Sequence, residues 1–543
     1  RLLDTQGHVQ VDCILRSVSL DASEMFSRNC TKETTEPTIG EVTGTIPPWL
    51  EGRLIRVGPG IRKVGKTEYV HLFDGMAMLH QVEIKNGTAT YRSRFLESDT
   101  YKKNMAAQRI IVTEFGTIPF SDPCASLYQR VSSWFFPPSG REMTDNCGVQ
   151  VLQIKDELIA MSEVEAVRIV DPETLKTIGD KVKFRNYVAV NQATAHPHIE
   201  SDGTAYNLCF GVGCGGPMYS IIALPNGKIQ HAQLQAQVKP RWRFNPAYFH
   251  SFGITENFFI IGETPLVMDV KKVPGLALMT ASPADLMTWH GNEKTRFRVI
   301  RRGTGDEVPI KYFTDAYFAF HHVNAYEKDG FLIIDVCAAD NGRLVLDSLF
   351  VENMMKKAND PSKLRPTAET RRYVLPLDIK SSPTEVDLLI SCEDAQLNDA
   401  SGYCKHASAF KVKDDEVYLQ GLQINPILVE MPRINYKYNG RPYRYMYGVG
   451  IDINNSFDFN AIIKIDNLKG KEIVWSEKDI GCQEPVFVAS PDAKTEDDGV
   501  ILSLLLHDNN KHKICVLRLN HERTPSLARK TLLAQWESRI CFK

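Results

Sequence analysis

The stretch AFHHVNAYEKDGFLIIDV, residues 319–336, places two adjacent histidines before a turn and a long apolar run. Asp329 and Gly330 form a dipeptide that tolerates the backbone angles of a tight hairpin turn. The apolar residues after the turn predict a fully buried strand. The stretch therefore predicts a β-hairpin with imidazoles at the start of its first strand.

The same strand, turn and strand pattern recurs along the chain. Clear copies are VEIKNGTATYRSRF (82–95), VRIVDPETLKTI (167–178), IIALPNGKIQHAQL (221–234) and IIKIDNLKGKEIVW (462–475). Helical periodicity is limited to stretches such as ASLYQRVSSWFF (125–136) and DSLFVENMMKKAND (347–360). Many short strands in repeated hairpins favour an all-β fold of the β-propeller type, with a double sandwich as the alternative.

Composition excludes several classes of protein. The 543 residues carry a formal net charge of −2, which offers no general attraction to nucleic acid. The 12 cysteines form no CxxC pair, as is typical of reduced thiols in a cytoplasmic compartment. No apolar run approaches the roughly 20 residues that cross a bilayer. The chain begins with Arg1, so an upstream targeting segment, a mitochondrial one included, is left open.

Three segments repeat one local context: AHPHIESDGTAYNLCF, FHSFGITENFFIIGE and FHHVNAYEKDGFLIIDV each place a histidine shortly before a turn and an apolar strand. Equivalent strands of different blades converge on a propeller axis, so we expect His196, His250 and His321 to meet there. Clustered imidazoles suit iron, zinc, copper or nickel. Neighbours in a strand face opposite sides, so His321 and His322 cannot both face the axis, and the residues alone leave that choice open.

Carboxylates are expected beside such imidazoles, because ligating histidines usually donate their other ring nitrogen to an acidic side chain. Candidates at comparable positions are Glu163, Glu430 and Glu484. Glu484 is the strongest of them, since it is followed by Pro485 and an apolar strand.

Ten collinear segments resemble the animal carotenoid cleavage oxygenases. They are VTGTIPPWLEGRLIRVGPG, HLFDGMAMLHQ, RIIVTEFGT, SDPCASLYQR, MTDN, VNQATAHPHIESDGTAYN, YFHSFGITEN, FHHVNAYEKDG, MPRINYKYNGRPYRYMYG and EPVFVASPDAKTEDDGVILS. The resemblance covers about residues 40 to 530 and implies an N-terminal extension over 1–39 and a single propeller domain over 40–543.

The resemblance implies a seven-bladed propeller with a few helices capping the face that carries the substrate tunnel. Its axis would hold a non-haem Fe(II) with four histidines, of which His196, His250 and His321 match the motifs in this chain. Glu163, Glu430 and Glu484 match the glutamates that brace the imidazoles, and Phe115 matches a residue of the substrate cleft. No catalytic acid or nucleophile is implied beyond the metal centre.

The C-terminus departs from the family pattern. The fourth histidine is expected close to the end, but the last histidine here is His521, and the chain closes with LARKTLLAQWESRICFK. Counted without gaps, Cys541 falls about where that histidine would be, and a thiolate can bind iron. We expect a truncated or alternatively spliced end that lacks the last strand of the ring.

The implied activity is oxidative cleavage of a carotenoid or apocarotenoid double bond by O₂ to aldehydes or ketones, giving retinal if cleavage is central. Two alternatives are a retinoid isomerohydrolase acting on retinyl esters and a catalytically impaired carotenoid-binding form that lacks the fourth histidine. Such substrates lie in membranes, so a peripheral contact is expected. Residues 126–140 could supply it through one helical face beside Arg130, formed by Leu127, Val131, Trp134 and Phe135. Cys124 is a candidate for acylation.

Overall fold

Strands dominate the computed structural model of the protein, which describes residues 29–120, 144–213, 215–358, 368–398, 404–450, 460–477, 480–507, 512–518 and 535–542. Of the last two segments it describes the backbone only. The predicted helix over 125–136, the segment 126–140 and Cys124 lie outside the described residues.

The strands are, in chain order, β1 (Thr34–Ile39), β2 (Glu41–Gly44), β3 (Gly52–Ile61), β4 (Lys63–Val64), β5 (Thr67–Glu68), β6 (Met76–Lys85), β7 (Thr88–Phe95), β8 (Gln150–Ile154), β9 (Glu157–Met161), β10 (Ala166–Val170), β11 (Thr177–Lys183), β12 (Gln192–Ala193), β13 (His198–Ile199), β14 (Ala205–Gly213), β15 (Gly216–Leu224), β16 (Gln233–Val238), β17 (Gly253–Ile254), β18 (Phe258–Glu263), β19 (Leu266–Met268), β20 (Met287–Trp289), β21 (Thr295–Arg301), β22 (Lys311–Thr314), β23 (His322–Lys328), β24 (Phe331–Ala338), β25 (Glu369–Pro376), β26 (Gln396–Asn398), β27 (Cys404–His406), β28 (Ser408–Lys413), β29 (Glu416–Gln420), β30 (Leu422–Ile434), β31 (Tyr445–Gly450), β32 (Ala461–Asp466), β33 (Lys471–Ser476), β34 (Ile480–Cys482), β35 (Val486–Ala489), β36 (Gly499–His507), β37 (His512–Arg518) and β38 (Gln535–Phe542).

Helices are few in the described part of the chain. The α-helices are α1 (Asp99–Ala107), α2 (Val273–Ala277) and α3 (Val351–Ala358). Single 3₁₀ turns cover Leu72–Asp74, Phe184–Asn186, Pro225–Gly227, Ile229–His231, Val270–Lys272, Pro283–Leu286, Glu393–Ala395 and Tyr436–Tyr438, and Leu344–Ser348 is a π-helical turn. The helix predicted over 347–360 is confirmed in α3.

Antiparallel sheets built from sequential strands give the molecule its propeller-like, all-β architecture. The sheets of four or more strands run in the orders β1-β7-β6-β3, β11-β10-β9-β8, β12-β14-β15-β16 with β13 on β14, β17-β18-β21-β22-β29-β28, β23-β24-β25-β30-β31-β32-β33 and β2-β38-β37-β36-β34 with β35 on β36. The one parallel contact within them joins β22 to β29. The expected all-β class is confirmed, but the described strands do not separate into seven blades.

The blades merge because two connections bridge what would be separate sheets. The long strand β30 pairs with β25 through residues up to Leu428 and with β31 from Val429 onward, so one strand serves two neighbours. The hairpin β28–β29 adds to the edge of β22. Apolar side chains fill the space between adjacent sheets, as in the cluster that contains Phe258, Ile333, Leu419 and Ile463.

Strands from the two ends of the chain close the ring together. Strand β38 pairs with β2, where Cys541 lies opposite Glu41, and with β37 on its other side. The expectation that the unusual C-terminus removes the last strand is therefore wrong at the level of the backbone. The proposed domain boundary at residue 40 remains a prediction, although β1, just before it, already pairs with β7.

The hairpin of residues 319–336 forms as predicted. Strands β23 and β24 are antiparallel, and the turn between them uses Asp329 at φ 51° and Gly330 at φ 84°. Both are left-handed angles, which Asp and Gly tolerate best in two-residue hairpin turns. The other four predicted hairpins also pair, as β6–β7, β10–β11, β15–β16 and β32–β33.

A buried ion pair joins this hairpin to the next strand. Asp335 lies opposite Arg372 in the β24–β25 register, and two guanidinium nitrogens donate to its two oxygens at 2.7 and 2.8 Å. The hydroxyl of Tyr443 donates to the same carboxylate at 2.7 Å. Burial opposes the charge on Arg372, but the Asp335 carboxylate outweighs it and raises the pKa of the guanidinium well above its usual value.

We predict that Asp335→Asn lowers the free energy of unfolding by about 3–5 kcal/mol, because it leaves a buried guanidinium without its counter-charge. Denaturant unfolding followed by fluorescence measures this loss. The control is Asp415→Asn, which removes an ion pair with Lys311 on the surface and should leave the unfolding midpoint unchanged. Equal midpoints for the two variants would contradict the prediction.

Candidate metal centre

Three histidines that each stand shortly before a strand converge in space. His196, His250 and His321 stand just before β13, β17 and β23 and offer ring nitrogens that all lie within 4.8 Å of one another. The Nε2 atoms of His196 and His250 are 2.8 Å apart, and the ring centroids are separated by 4.5 to 5.0 Å. The predicted convergence of the three imidazoles is therefore present, although their role as ligands is a proposal.

Burial keeps the imidazoles of His196 and His250 neutral. Burial lowers the pKa of His250 well below its usual value, and the neighbouring His321 lowers it further. The pKa of His196 is lowered in the same way, first by burial and then by His250 and His321. Neutral imidazole is the form that binds a metal ion, so these two rings are in the protonation state that a metal site needs.

A glutamate and a tyrosine fix the ring of His250. Its Nδ1–H donates to Oε1 of Glu163 at 2.5 Å, so its Nε2 presents a lone pair to the cluster. The hydroxyl of Tyr248 lies 3.0 and 2.9 Å from the two oxygens of Glu163 and donates to them. Burial raises the pKa of Glu163 to about 8, and the Tyr248 hydroxyl opposes the rise. A metal cation bound by His250 would also favour the ionised form of Glu163.

A second glutamate fixes the ring of His321. The Nδ1–H of His321 donates to Oε2 of Glu430 at 2.6 Å, and the backbone N–H of Met431 donates to the same oxygen at 2.8 Å. His321 therefore also presents its Nε2 lone pair to the cluster. Two carboxylate-braced imidazoles and a third beside them form a donor set that fits a transition-metal cation.

Glu484 has different partners from the other two glutamates. Its carboxylate accepts from Nη1 of Arg56 at 2.6 Å and forms an ion pair with Nε of Arg433 at 2.7 Å. Burial opposes its ionisation, but Arg433 and Arg56 outweigh burial and lower its pKa to about 2, with a further contribution from His196. Its predicted role as a brace for an imidazole remains a prediction.

The second histidine of HPH (196–198) and the second histidine of HH (321–322) lie outside the cluster. His198 contacts Oδ1 of Asn439 at 3.0 Å and the carbonyl oxygen of Phe252 at 2.9 Å. Nδ1 of His322 lies 2.9 Å from Oγ of Ser251. Of the adjacent pair, His321 belongs to the cluster and His322 does not, as opposite strand faces require.

An aromatic wall leads away from the imidazoles. Phe320 packs edge-to-face on His250 with centroids 4.9 Å apart, and Phe73 lies 6.1 Å from Phe320. Phe115, predicted to line the substrate cleft, lies 5.9 Å from Phe73. These rings belong to one apolar cluster, called the aromatic chamber below, which also contains Tyr248, Leu266, Met287, Phe318, Val345, Trp289, Leu344, Leu346 and Leu349.

Several of these contacts were missed by sequence reasoning. Tyr248 stands two residues before His250, and a spacing of two on an extended chain places both side chains on one face, which is a usable signal. Arg56 and Arg433 gave no such signal, because Arg56 is 428 residues from Glu484. The side chain of Cys541 is outside the described residues, so its predicted proximity to the cluster is untested.

The all-β, propeller-like fold brings three imidazoles together, two of them hydrogen-bonded to glutamates, and this donor set could hold a metal ion. Residues 27–535 match the family described as retinal pigment epithelial membrane protein. The chain is 36% identical over 519 residues to the β,β-carotene 15,15′-dioxygenase of Rattus norvegicus, covering 94% of this chain and 89% of that protein. It is 35% identical over 529 residues to the carotenoid isomerooxygenase of Galleria mellonella, covering 94% of each.

Solved structures agree on the fold. A variant of the Synechocystis apocarotenoid oxygenase superposes with a TM-score of 0.71 at 19% identity, covering 96% of each chain. A cobalt-substituted form of that oxygenase matches equally well, with a TM-score of 0.71 at 20% identity. The chain belongs to this family, whose relatives include carotenoid dioxygenases, which confirms the resemblance read from the sequence.

No helix in the described residues is long and apolar enough to cross a membrane.

We predict that Glu484→Gln lowers the melting temperature, and that the loss is larger at neutral pH than in acid. The folded pKa of about 2 lies below the usual value, so the ion pairs stabilise the protein fully above about pH 5 and progressively less as the pH falls towards 2. The difference in melting temperature between the wild type and Glu484→Gln should therefore shrink as the pH is lowered. Glu83→Gln, which removes the more exposed pair with Arg53, is the control and should give a small difference throughout. A Glu484→Gln difference that grew in acid would contradict the assignment.

We also predict that Glu430→Gln weakens metal binding by about 10–100-fold, because the brace on His321 is lost while the imidazole remains. Titration of metal-stripped protein with Co(II), followed by visible absorption, measures the change. Glu327→Gln is the matched control: it lies on β23, where its carboxylate accepts from Thr255 and Asn257 away from the cluster. Equal Co(II) affinity in both variants would show that Glu430 is not a brace.

Proposed function

We propose that this protein is a non-haem Fe(II) dioxygenase that cleaves a carotenoid or apocarotenoid double bond to aldehydes or ketones, with retinal as the product if cleavage is central. The observation that carries the proposal is the convergence of His196, His250 and His321 at the edge of the aromatic chamber. Relatives at 35–36% identity that are named as carotenoid dioxygenases and isomerooxygenases support it.

His196, His250 and His321 would hold the iron, and Glu163 and Glu430 would keep two of the rings in the required tautomer. When bound, Fe(II) supplies the redox chemistry that activates dioxygen. The protein's own contribution is to hold the imidazole nitrogens at fixed positions and to surround them with apolar side chains. A polyene has no group for an acid or base to act on, which agrees with the aromatic and aliphatic side chains packed beside the imidazoles.

For Glu484 we propose the role of a brace beside His196. Its carboxylate is kept ionised by Arg56 and Arg433 and acts on His196 through its charge. An ionised carboxylate at this place could accept the N–H of an imidazole, which is the brace that the sequence predicts. Whether the Cys541 thiolate is a fourth metal ligand, as the sequence counting suggests, is tested by metal binding to Cys541→Ser.

We propose that the architecture is a seven-bladed ring. The merged sheet supports it, because β30 pairs with β25 and β31 through different halves of its length, so β23–β25 and β31–β33 would be two blades that share a strand. With that division, the six large sheets would give seven blades, the last of them containing β2 and β38.

Access to a membrane-borne substrate is proposed through an exposed apolar patch close to the chamber. A hydrogen bond joins the segment after the patch to the chamber: the backbone N–H of Ala284 donates to the carbonyl of Phe115 at 2.8 Å. Lys271 and Lys272 give the patch a charge that attracts anionic lipid. The patch consists of Phe244, Val270, Val273 and Leu278. Co-flotation with phosphatidylserine vesicles, lost in Leu278→Glu, tests the contact.

A retinoid isomerohydrolase is the second candidate, favoured by the match to the retinal pigment epithelial membrane protein family. A third is a form that binds the polyene without turning it over. Each uses the same chamber, so the product and the metal content distinguish them.

We predict that iron-loaded protein incubated with β-carotene and O₂ gives aldehyde or ketone products, which chromatography with mass detection identifies. The same protein with all-trans-retinyl ester should give no retinol, and His321→Ala should give no product from either substrate. Retinol from the ester with no carotenoid cleavage would establish the isomerohydrolase instead. Polyene binding by protein that retains no iron would support the third candidate.

A further inference from the structure

A buried carboxylate fixes the loop that carries Phe115. Asp74, at the end of the 3₁₀ turn Leu72–Asp74, is fully buried and accepts from the backbone N–H of Gly116 at 3.0 and 3.2 Å. The hydroxyl of Thr117 donates to its Oδ2 at 2.5 Å. The donors belong to the two residues after Phe115, so the carboxylate helps to fix the backbone that carries that ring.

Close packing leaves this loop a single place to lie. A Cβ on Gly116 would come within 2.5 Å of Cβ of His71, so the loop backbone rests directly on His71. The backbone N–H of Val70 donates to Oγ1 of Thr117 at 3.0 Å, which ties the same hydroxyl to a second segment. The loop is thus held to residues 70–74 by side-chain contacts, and also to Ala284, whose N–H donates to the carbonyl of Phe115 at 2.8 Å, and to Thr144, whose hydroxyl donates to Glu114 at 2.6 Å.

The fixed ring stands on the line of aromatic side chains that ends at the imidazoles. Phe115 packs edge-to-face on His71 at 4.9 Å and lies 5.9 Å from Phe73. Phe73 contacts Phe320 at 6.1 Å, and Phe320 contacts His250 at 4.9 Å. A shift of the 114–117 loop would therefore change the wall of the chamber without touching a histidine.

The ionisation of Asp74 agrees with this task. Burial raises its pKa to about 6, and the donors from Thr117 and Gly116 oppose the rise. At neutral pH the group is mainly the carboxylate, which accepts hydrogen bonds only and so suits the two donors.

We infer that Asp74 is a positioning residue that, through Gly116 and Thr117, fixes Phe115 as the wall against which a bound polyene stops, and so determines which double bond faces the imidazoles. The inference rests on the proposed function for its substrate. Successive double bonds of a polyene are chemically alike, so no difference in reactivity selects among them. The position of the wall supplies the selection.

The test uses the iron-loaded full chain with Thr117→Val and Thr117→Ser. Valine has nearly the shape of threonine but no hydroxyl, whereas serine keeps the donor to Asp74. Thr255→Val is the matched control, because its hydroxyl donates to Glu327 at 2.6 Å, away from the chamber. Asp74→Asn, which keeps one acceptor for Gly116, is the second variant if Thr117→Val fails to fold.

Two readouts follow the loop and the reaction separately. With 4-fluorophenylalanine at position 115, we expect the ¹⁹F resonance to move or broaden in Thr117→Val and to keep its wild-type position in Thr117→Ser and Thr255→Val. With an asymmetric apocarotenoid as substrate, the ratio of cleavage products should change by about tenfold in Thr117→Val, the factor that one hydrogen bond to a charged group commonly supplies.

The outcomes separate the inference from the proposed function. An unchanged ¹⁹F resonance in folded Thr117→Val would overturn the positioning role, whether or not the protein cleaves carotenoids. A shifted resonance with an unchanged product ratio would overturn the role in selecting the bond. If the wild type cleaves no polyene, the proposed function fails, and the ¹⁹F spectra alone decide whether Asp74 positions Phe115.

Discussion

The hydrogen bonds that join imidazole Nδ1 atoms to buried carboxylates are the constraint on which the rest of the site depends. Each fixes the tautomer of its ring, and with it the direction in which the Nε2 lone pair points. His250 and His321 both present that lone pair to the same small volume because Glu163 and Glu430 hold their opposite edges. Without these contacts, the two rings would be free to rotate towards other partners.

The propeller-like fold is what makes this arrangement available. Each histidine stands just before a strand of a different sheet, while Glu163 follows β9 and Glu430 lies in the second half of β30. Sheets packed side by side bring these positions together although His250 and Glu163 are 87 residues apart. Pairing of β2 with β38 closes the ring and prevents the sheets from separating. The same packing places the aromatic chamber directly beside the rings.

Local signals explain what could be predicted from the sequence. Turn residues such as Asn86-Gly87 and Asp329-Gly330 specify hairpins through backbone angles alone, so the all-β class followed from them. The repeated context of His196, His250 and His321 pointed to the cluster, and the family resemblance chose His321 over His322 and supplied Phe115. Contacts that depend on how sheets pack had no local signal: Arg56 with Glu484, the parallel pairing of β22 with β29, and the shared strand β30.

The same limit explains why the last strand was expected to be missing. Its sequence departs from the family pattern, but its backbone still pairs with β2 and β37.

X-ray absorption at the iron edge of iron-loaded protein tests the central claim most directly, because imidazole rings give a recognisable multiple-scattering pattern. The account predicts a pattern that requires three imidazole ligands, and its reduction by one in each of His196→Ala, His250→Ala and His321→Ala. An iron spectrum without imidazole scattering, or one unchanged by these substitutions, would contradict the assignment of the metal centre to the three histidines.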